Sequence, residues 1–329
     1  MKIYDLMRPK EEYYKVLKQR EIDGIAFYEK YHKDFVLTNC PACGEGGINS
    51  FEKYGFEHKT CKNCKTLFVS PRPTDEILSI YYNEYSAPKM WTELLLKTDV
   101  QRKAMQYLPR VEMIINRIRN LGINKMERVV DLGAGSGAFS ICLQKSGFFD
   151  EVIAIDLSEE CVKACQSQGL KTILGSVENI EDESIDLICM NDLFEHLFDC
   201  SKMLSGCFRA LKKNGFISIA TPNGEGFDFK IMKKNTVNIT PPEHLNYFNP
   251  ISMEISLSKA GFMPILVETP GKLDVEIVLR EKFSGFSLSE RNEYINYLLE
   301  QEEQVINNFQ EFLSKNKLSS HMFAMAQKK

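Results

Sequence analysis

The chain has 329 residues and 43% hydrophobic content, enough to bury one large core and a smaller companion, which argues against a disordered protein. Lysine and arginine total 41 against 45 acidic residues, a net charge of −4 that would not attract a polyanion, so we do not expect nucleic acid as the partner. No apolar run approaches the roughly 18 residues of a membrane span and residues 1–10 lack an apolar signal core, so we expect a cytoplasmic protein.

The N-terminal third divides into three predicted segments. Residues 1–36 have a helical rhythm rich in glutamate, lysine and tyrosine, which predicts two short helices after Pro9. Residues 37–73, with cysteine, glycine and proline between short aromatic runs, predict a small metal-bound module. Residues 74–118 predict a helical linker or lid whose first helix begins near Glu76.

Four cysteines in the second segment have the spacing of a zinc ribbon. Cys40 and Cys43 form one C-x-x-C pair, and Cys61 and Cys64 form another after 17 intervening residues. Each pair can turn around one ion, so the four thiolates complete a tetrahedron that leaves no position open for catalysis. The alternatives are thiols without metal or a redox dithiol, and a redox dithiol would not need the second pair. We therefore expect a structural Zn²⁺.

From Arg128 onward, strands alternate with helices, which predicts an α/β, doubly wound, Rossmann-like sheet over residues 119–270. The expected strands are residues 128–132, 151–155, 171–174, 186–190, 216–220 and 263–268, and the expected helices are 138–145, 158–168, 200–212 and 251–260. Residues 271–317 predict a helical insertion, with a capping box at Ser287 and Glu290 and a long helix from Ile295 to Phe312. Residues 318–329 would supply a final strand of the sheet.

A glycine-rich turn follows the first strand of this region. Gly133, Gly135 and Gly137 let the backbone turn sharply and approach a ligand closely. Asp156, 19 residues beyond Gly137, ends the second strand where a carboxylate can accept both hydroxyls of a ribose. Because the turn also fits G-x-G-x-x-A, a dinucleotide oxidoreductase is the first rival, and the charge of Asp131 at the end of strand one argues against it.

Together with later landmarks, these residues resemble the class I S-adenosylmethionine methyltransferases. The landmarks are Asp131-Leu-Gly-Ala-Gly-Ser-Gly137, Ala154-Ile-Asp156-Leu, Glu195-His196-Leu, Leu211-Lys-Lys-Asn-Gly215 and Ala220-Thr-Pro-Asn223. The resemblance implies that the turn holds the methionine part of the cofactor, that Asp156 binds its ribose, and that the adenine lies near residues 175–178, through the Val177 backbone or Glu178. The implied cofactor residues are Asp131, Gly133, Ala134, Gly135, Gly137, Asp156, Leu157, Val177 and Asn191.

With the cysteine pairs included, the chain is similar to the bacterial zinc-ribbon methyltransferases, whose members often act on sugars, surface glycans or secondary metabolites. That similarity implies acid/base roles for His196, Glu243 and His244. The chain is too short for the second large domain of the sugar C-methyltransferases, so we expect O- or N-methylation of a small, sugar-related molecule.

Three alternatives stay open at this point. The chain could be an RNA methyltransferase whose ribbon grips folded RNA, although it lacks the basic face that phosphate contacts require. It could be a non-catalytic zinc module with a relic Rossmann domain. His196 and His244 could also be structural, each hydrogen-bonded to loop backbone. The oligomeric state cannot be read from the sequence.

Overall fold

Two sheets and the helices around them build the molecule, and the computed structural model describes residues 3–281 and 293–329. The strands are β1 (Gly47–Lys53), β2 (Phe56–Cys61), β3 (Leu67–Val69), β4 (Met126–Leu132), β5 (Phe149–Asp156), β6 (Lys171–Leu174), β7 (Ile185–Asn191), β8 (Leu211–Pro222), β9 (Asn246–Tyr247), β10 (Phe262–Glu268) and β11 (His321–Lys328). The helices are α1 (Ile3–Met7), α2 (Lys10–Tyr31), α3 (Asp75–Glu84), α4 (Ser86–Lys97), α5 (Asp99–Arg102), α6 (Leu108–Arg119), α7 (Ala138–Lys145), α8 (Glu159–Ser167), α9 (Cys200–Ala210), α10 (Phe227–Met232), α11 (Pro250–Lys259), α12 (Asp274–Glu281), α13 (Glu293–Leu299) and α14 (Glu303–Lys315).

The larger sheet has seven strands in the order β10-β11-β8-β7-β4-β5-β6. The five strands from β8 to β6 run parallel, and β11 runs antiparallel to both β8 and β10. Along β4, Val129 and Val130 are buried in two different core clusters, because successive strand residues face opposite sides of a sheet and helices cover both sides. The expected α/β Rossmann-like fold is confirmed, and so is the final strand.

The smaller sheet is antiparallel, in the order β1-β2-β3-β9. Its first three strands belong to the cysteine-rich segment. Its fourth strand, β9, comes from a loop of the larger domain that follows β8. The two sheets are therefore joined by a strand as well as by the chain between them.

Three predicted elements differ in the structure. The N-terminal segment forms one long helix, α2, instead of two short ones. The helix runs through Gly24, where an added Cβ would lie 3.0 Å from the Pro241 carbonyl oxygen, so the glycine serves a close packing contact and does not end the helix. The helix predicted over 200–212 ends at Ala210, because Leu211 is buried and pairs with Ile185 as the start of β8.

The long helix predicted from Ile295 to Phe312 is divided into α13 and α14. The chain leaves helical geometry at Glu302, whose backbone is extended. The break lets Leu299 of α13 and Leu313 of α14 pack into the same core cluster. The predicted capping box at Ser287 and Glu290 lies outside the described residues. Within the described ranges, every helix is too short or too polar to cross a membrane.

Candidate active site and cysteine cluster

The glycine turn between β4 and α7 has the conformation that its sequence predicts. Gly133, Gly135 and Gly137 have φ of +75°, +54° and +82°, a region that side chains with a Cβ rarely adopt. The amides of Gly133 and Ala134 donate to the Ile155 carbonyl oxygen at 2.8 and 3.0 Å, which ties the turn to β5. A Cβ on Gly135 would meet nothing within 4 Å. The turn therefore leaves open space in front of its backbone.

Asp156 ends β5 beside this turn. Its Oδ2 accepts from the Gly135 amide at 2.9 Å, and its Oδ1 accepts from the Ser158 amide at 2.9 Å. These bonds fix the carboxylate, which is still partly exposed. Leu157, the next residue, is 78% exposed. Asp156 therefore borders the open space in front of the Gly135 backbone, with an exposed apolar side chain next to it in the sequence.

Asp131, at the end of β4, is buried and accepts a hydrogen bond from Ser140 Oγ at 2.6 Å. Burial raises the pKa of Asp131 to about 6, because the charged form loses its hydration. β4 lies between β5 and β7, so Asp131 shares the carboxyl edge of the sheet with Asp156 and with Asn191 of β7.

Asn191 connects this edge to an arginine that the sequence analysis did not select. Arg110 Nη1 donates to Asn191 Oδ1 at 2.8 Å, and Arg110 Nη2 lies 2.7 Å from His321 Nε2. A guanidinium can only donate, so His321 accepts here and is neutral; burial and then Arg110 lower its pKa to about 4. The buried Asn191 Nδ2 faces the Asp131 carboxyl and helps to hold down the pKa of that group, although no short hydrogen bond joins them.

The predicted adenine contacts are occupied by protein neighbours. The Val177 side chain is buried, and its carbonyl oxygen accepts from Arg209 Nη2 at 3.0 Å. Glu178 lies 3.4 Å from Lys202 Nζ and accepts from Ser176. The Gly175 amide donates to the Asp156 carbonyl oxygen at 3.0 Å, which keeps this loop next to β5. Val177 is only 1% exposed and so has almost no surface to offer an adenine, and Glu178 has partners already.

His196 and His244 come together in space. Their ring centroids are 4.7 Å apart and the rings are perpendicular. His244 Nδ1 lies 2.8 Å from the Asn238 carbonyl oxygen, which can only accept, so Nδ1 carries the hydrogen and Nε2 carries the lone pair. His196 Nδ1 is 2.9 Å from the Tyr82 hydroxyl. Burial lowers the pKa of both rings, most strongly that of His244, so both are neutral at pH 7.

Two glutamates flank this pair and have different partners. Glu195 accepts from Thr221 Oγ1 at 2.9 Å, and burial raises its pKa to about 8. Glu243 accepts two bonds from Arg20, at 3.0 and 2.7 Å, and a third from the Tyr81 hydroxyl at 3.3 Å. The structure thus directs the Glu243 carboxylate to α2 and α3, and it brings His244 and His196 to each other.

The four expected metal ligands form a cluster. The Sγ atoms of Cys40 and Cys64 are 3.5 Å apart, those of Cys43 and Cys61 are 3.3 Å apart, and all four lie within 4.8 Å of one another. Four thiolates about 2.3 Å from a zinc ion would be separated by about 3.8 Å, so the arrangement fits a tetrahedral site. The donor set and its geometry match what the spacing predicts.

Comparison with known proteins finds a similarity over the central part of the chain. Residues 123–271 match the family model described as a methyltransferase domain.

A malonyl-[acyl-carrier protein] O-methyltransferase of Methylococcus capsulatus is 32% identical over 117 residues, which cover 33% of this chain and 42% of that protein. A ubiquinone biosynthesis O-methyltransferase of Xanthomonas oryzae pv. oryzae is 32% identical over 105 residues, which cover 29% and 43%. The chain spans less than half the length of these relatives. A crystal structure of a SAM dependent methyltransferase from Archaeoglobus fulgidus is 21% identical, covers 66% of this chain and 94% of its own, and has a TM-score of 0.44.

Sequence analysis missed two buried arginines that lie outside residues 123–271, although a sequence pattern marks both. Arg110 lies four and eight residues before Ile114 and Ile118, on the buried face of α6. Arg20 lies on the buried face of α2, four residues after Val16. A charged residue on the apolar face of a helix must have a buried partner, so the helical period could have identified both.

Proposed function

We propose that this protein transfers a methyl group from S-adenosylmethionine to a small-molecule acceptor, with His244 as the base that takes the acceptor's proton. The observation that carries the proposal is the fixed tautomer of His244: Nδ1 carries the hydrogen that is bonded to the Asn238 carbonyl oxygen, which leaves the lone pair on Nε2. When bound, the cofactor supplies a methyl group on a positively charged sulfur. The protein must then orient the acceptor atom and remove its proton.

The open space around the glycine turn fits this cofactor. Gly133, Ala134, Gly135 and Gly137 would line its methionine part, with Asp131 beneath them. Arg110, which is held by Asn191 at this edge of the sheet, would pair with the cofactor carboxylate. Asp156 would accept from the ribose, and the adenine would cover the exposed Leu157.

His244 is suited to accept a proton because its Nδ1 hydrogen bond to Asn238 stabilises the ring once Nε2 is protonated. Its lowered pKa keeps Nε2 free at neutral pH. His196 is held by the Tyr82 hydroxyl and would orient the acceptor or share the proton. Since Arg20 and Tyr81 hold the Glu243 carboxylate, we assign Glu243 the role of holding the histidine loop in place.

For the acceptor we propose a sugar, a nucleotide-sugar or a surface-glycan intermediate, methylated on oxygen or nitrogen. The support is the similarity of His196, Glu243 and His244 to the zinc-ribbon sugar methyltransferases. Both curated relatives described above are named O-methyltransferases, which favours oxygen over carbon. The four cysteines would hold a structural Zn²⁺.

Titration calorimetry tests the cofactor. We expect binding of S-adenosylmethionine and of its demethylated product, and no binding of NAD. Asp156→Ala should weaken cofactor binding by about 10- to 150-fold, since hydrogen bonds to a charged group contribute roughly 1.5–3 kcal/mol. Asp150→Ala, at an exposed acid near the opposite end of β5, is the control and should bind normally. Tight NAD binding, or full affinity in Asp156→Ala, would refute the cofactor assignment.

The acceptor is found by supplying labelled cofactor with nucleotide sugars, glycan intermediates and folded RNA. On that acceptor, His244→Ala should lower kcat by about 10²–10⁴ while melting temperature and cofactor affinity stay unchanged. His32→Ala is a matched control, because His32 Nδ1 also lies against a carbonyl oxygen, that of Tyr28, at 2.9 Å. Single-turnover rates of His244→Ala within about threefold of wild type would exclude it as the base.

A further inference from the structure

We propose that the cysteine module positions the two active-site histidines, by forming one sheet with the loop that carries His244 and by holding Asn246 between the two histidine loops. This inference rests on the proposed function insofar as His196 and His244 are the reacting pair. The proposal gives the cysteine module a role in the active site. That role is structural, because a metal held by all four cysteines would have no position open for a substrate.

The first connection is a pair of backbone strands. β3 of the module pairs with β9, so that Leu67 lies opposite Tyr247 and Phe68 opposite Asn246. The Val69 amide donates to the Leu245 carbonyl oxygen at 2.9 Å. Residues 245–247 directly follow His244. Because their backbone is hydrogen-bonded to β3, the His244 backbone has little freedom to move.

The second connection is the side chain of Asn246, which is fully buried. Its Oδ1 accepts from Arg72 Nη1 at 2.8 Å, at the end of the module, and its Nδ2 donates to the Leu197 carbonyl oxygen at 2.7 Å. The Leu245 amide donates to the Glu195 carbonyl oxygen at 2.8 Å. His196 is therefore held on both sides, at residues 195 and 197, by the same segment that the module holds.

The third connection reaches the cysteines themselves. Asn249 Nδ2 donates to the Cys64 carbonyl oxygen at 2.8 Å, while Asn249 Oδ1 accepts from the Ser252 amide and caps α11. The Cys61 amide donates to the Thr66 carbonyl oxygen at 2.9 Å, directly before β3. A metal that fixes Cys61 and Cys64 would thus fix both the start of β3 and the anchor of Asn249.

The packing argues that the cysteine module does not bind a partner independently of the larger domain. Cys61, Cys64 and Phe68 of the module belong to the same buried cluster as Phe194 and Phe248, which lie close to the two histidines in sequence. An arm that binds a partner separately would have its own core and a free sheet edge. Here one core is shared, and β9 occupies that edge of β3.

Amide hydrogen exchange on the zinc-loaded, full-length protein tests the proposal without needing the acceptor. Asn249→Asp keeps the helix cap, since aspartate also caps well, but it cannot donate to Cys64. Asn246→Asp keeps an acceptor for Arg72 but cannot donate to Leu197. We expect each variant to keep its zinc and cofactor affinity, to speed exchange over residues 243–248 about tenfold, and to shift the ring NMR signals of His196 and His244.

Asn63→Asp is the matched control, because Asn63 is exposed between Cys61 and Cys64, and it should leave all of these properties unchanged. Exchange over 243–248 and ring signals like those of wild type in both variants would overturn the proposal. So would zinc removal that speeds exchange over residues 40–64 but leaves 243–248 unaffected. Failure of the proposed function would appear separately, as absence of cofactor binding in the wild-type protein.

Discussion

Replacing either member of the Arg20–Glu243 ion pair should destabilise the protein far more than replacing a surface pair. The side chains are only 8% and 4% exposed, and two hydrogen bonds of 3.0 and 2.7 Å join them. Tyr81 donates to the same carboxylate, and the Arg20 guanidinium lies 4.6 Å from the ring centre of Trp91. Each charge is thus removed from water and depends on the other.

The expected cost follows from that burial. Removing one partner of a buried pair leaves the other charge without water or counter-ion, which typically costs about 3–5 kcal/mol. Arg20→Met and Glu243→Gln should each lower the free energy of unfolding by an amount in that range. The double variant should lose less than either single variant, because no unpaired charge is left buried in it.

Urea denaturation followed by circular dichroism gives the four free energies of this cycle. Trp91 is the single tryptophan of the chain, so its fluorescence reports on the same region. Lys163→Met is the control, because Lys163 and Glu159 are 72% and 71% exposed, and it should cost no more than about 0.5 kcal/mol. If Arg20→Met and Glu243→Gln each cost less than about 1 kcal/mol and their effects add, the pair behaves as a surface pair and the reasoning is refuted.

Three further outcomes are expected. Metal analysis should find about one zinc per chain in the wild type and in Cys161→Ser but none in Cys61→Ser, and retained zinc in the latter would exclude the cluster. Because the pKa of Glu195 is raised to about 8, the folded state binds the Glu195 proton more tightly than the unfolded chain, so the free energy of unfolding should fall as pH rises from about 4.5 to 8. Glu195→Gln should flatten this pH dependence. The same slope in the variant as in wild type would contradict the prediction. Gly135→Ala should lose about 1–2 kcal/mol of folding stability and also lose cofactor affinity. Gly137→Ala should be clearly less stable than Gly135→Ala, because its Cβ would lie 2.8 Å from the Leu170 side chain. Equal melting temperatures of the two variants would contradict this.

Most of the fold could be predicted because its elements are local patterns. The alternation of strands and glycine turns identifies the parallel sheet, and β6 and α7 have the predicted bounds. The errors arose where tertiary contacts decide the outcome. The single long helix α2 packs at Gly24 against the distant Pro241, and β9 has two residues whose partner strand lies far away in the sequence. Such short, non-local pairing leaves no periodicity to detect.

The candidate site was predictable to the same extent. Residues that lie on one turn, such as Asp131 to Gly137, form their site with close neighbours in the sequence. The four cysteines are marked by their regular spacing. Both groups can therefore be predicted from the sequence. The placement of His196 against His244 depends on two loops meeting, which the shared carboxyl edge of the sheet predicts only in outline. The partner of Glu243 lies 223 residues away on α2, so only the buried face of that helix could have suggested it.

The position of β11 has a consequence for how the chain folds. β10 pairs with β11, which lies between β10 and β8 in the sheet, and 52 residues (269–320) separate the two strands in the sequence. The parallel strands β4 to β8 can assemble as soon as they are synthesised, but β10 must wait for β11. Closing so long a connection slows folding, because the entropy of the intervening chain is lost before the strand contacts form. Until then β8 keeps an unpaired edge, and a newly made chain would be prone to pair with another copy there.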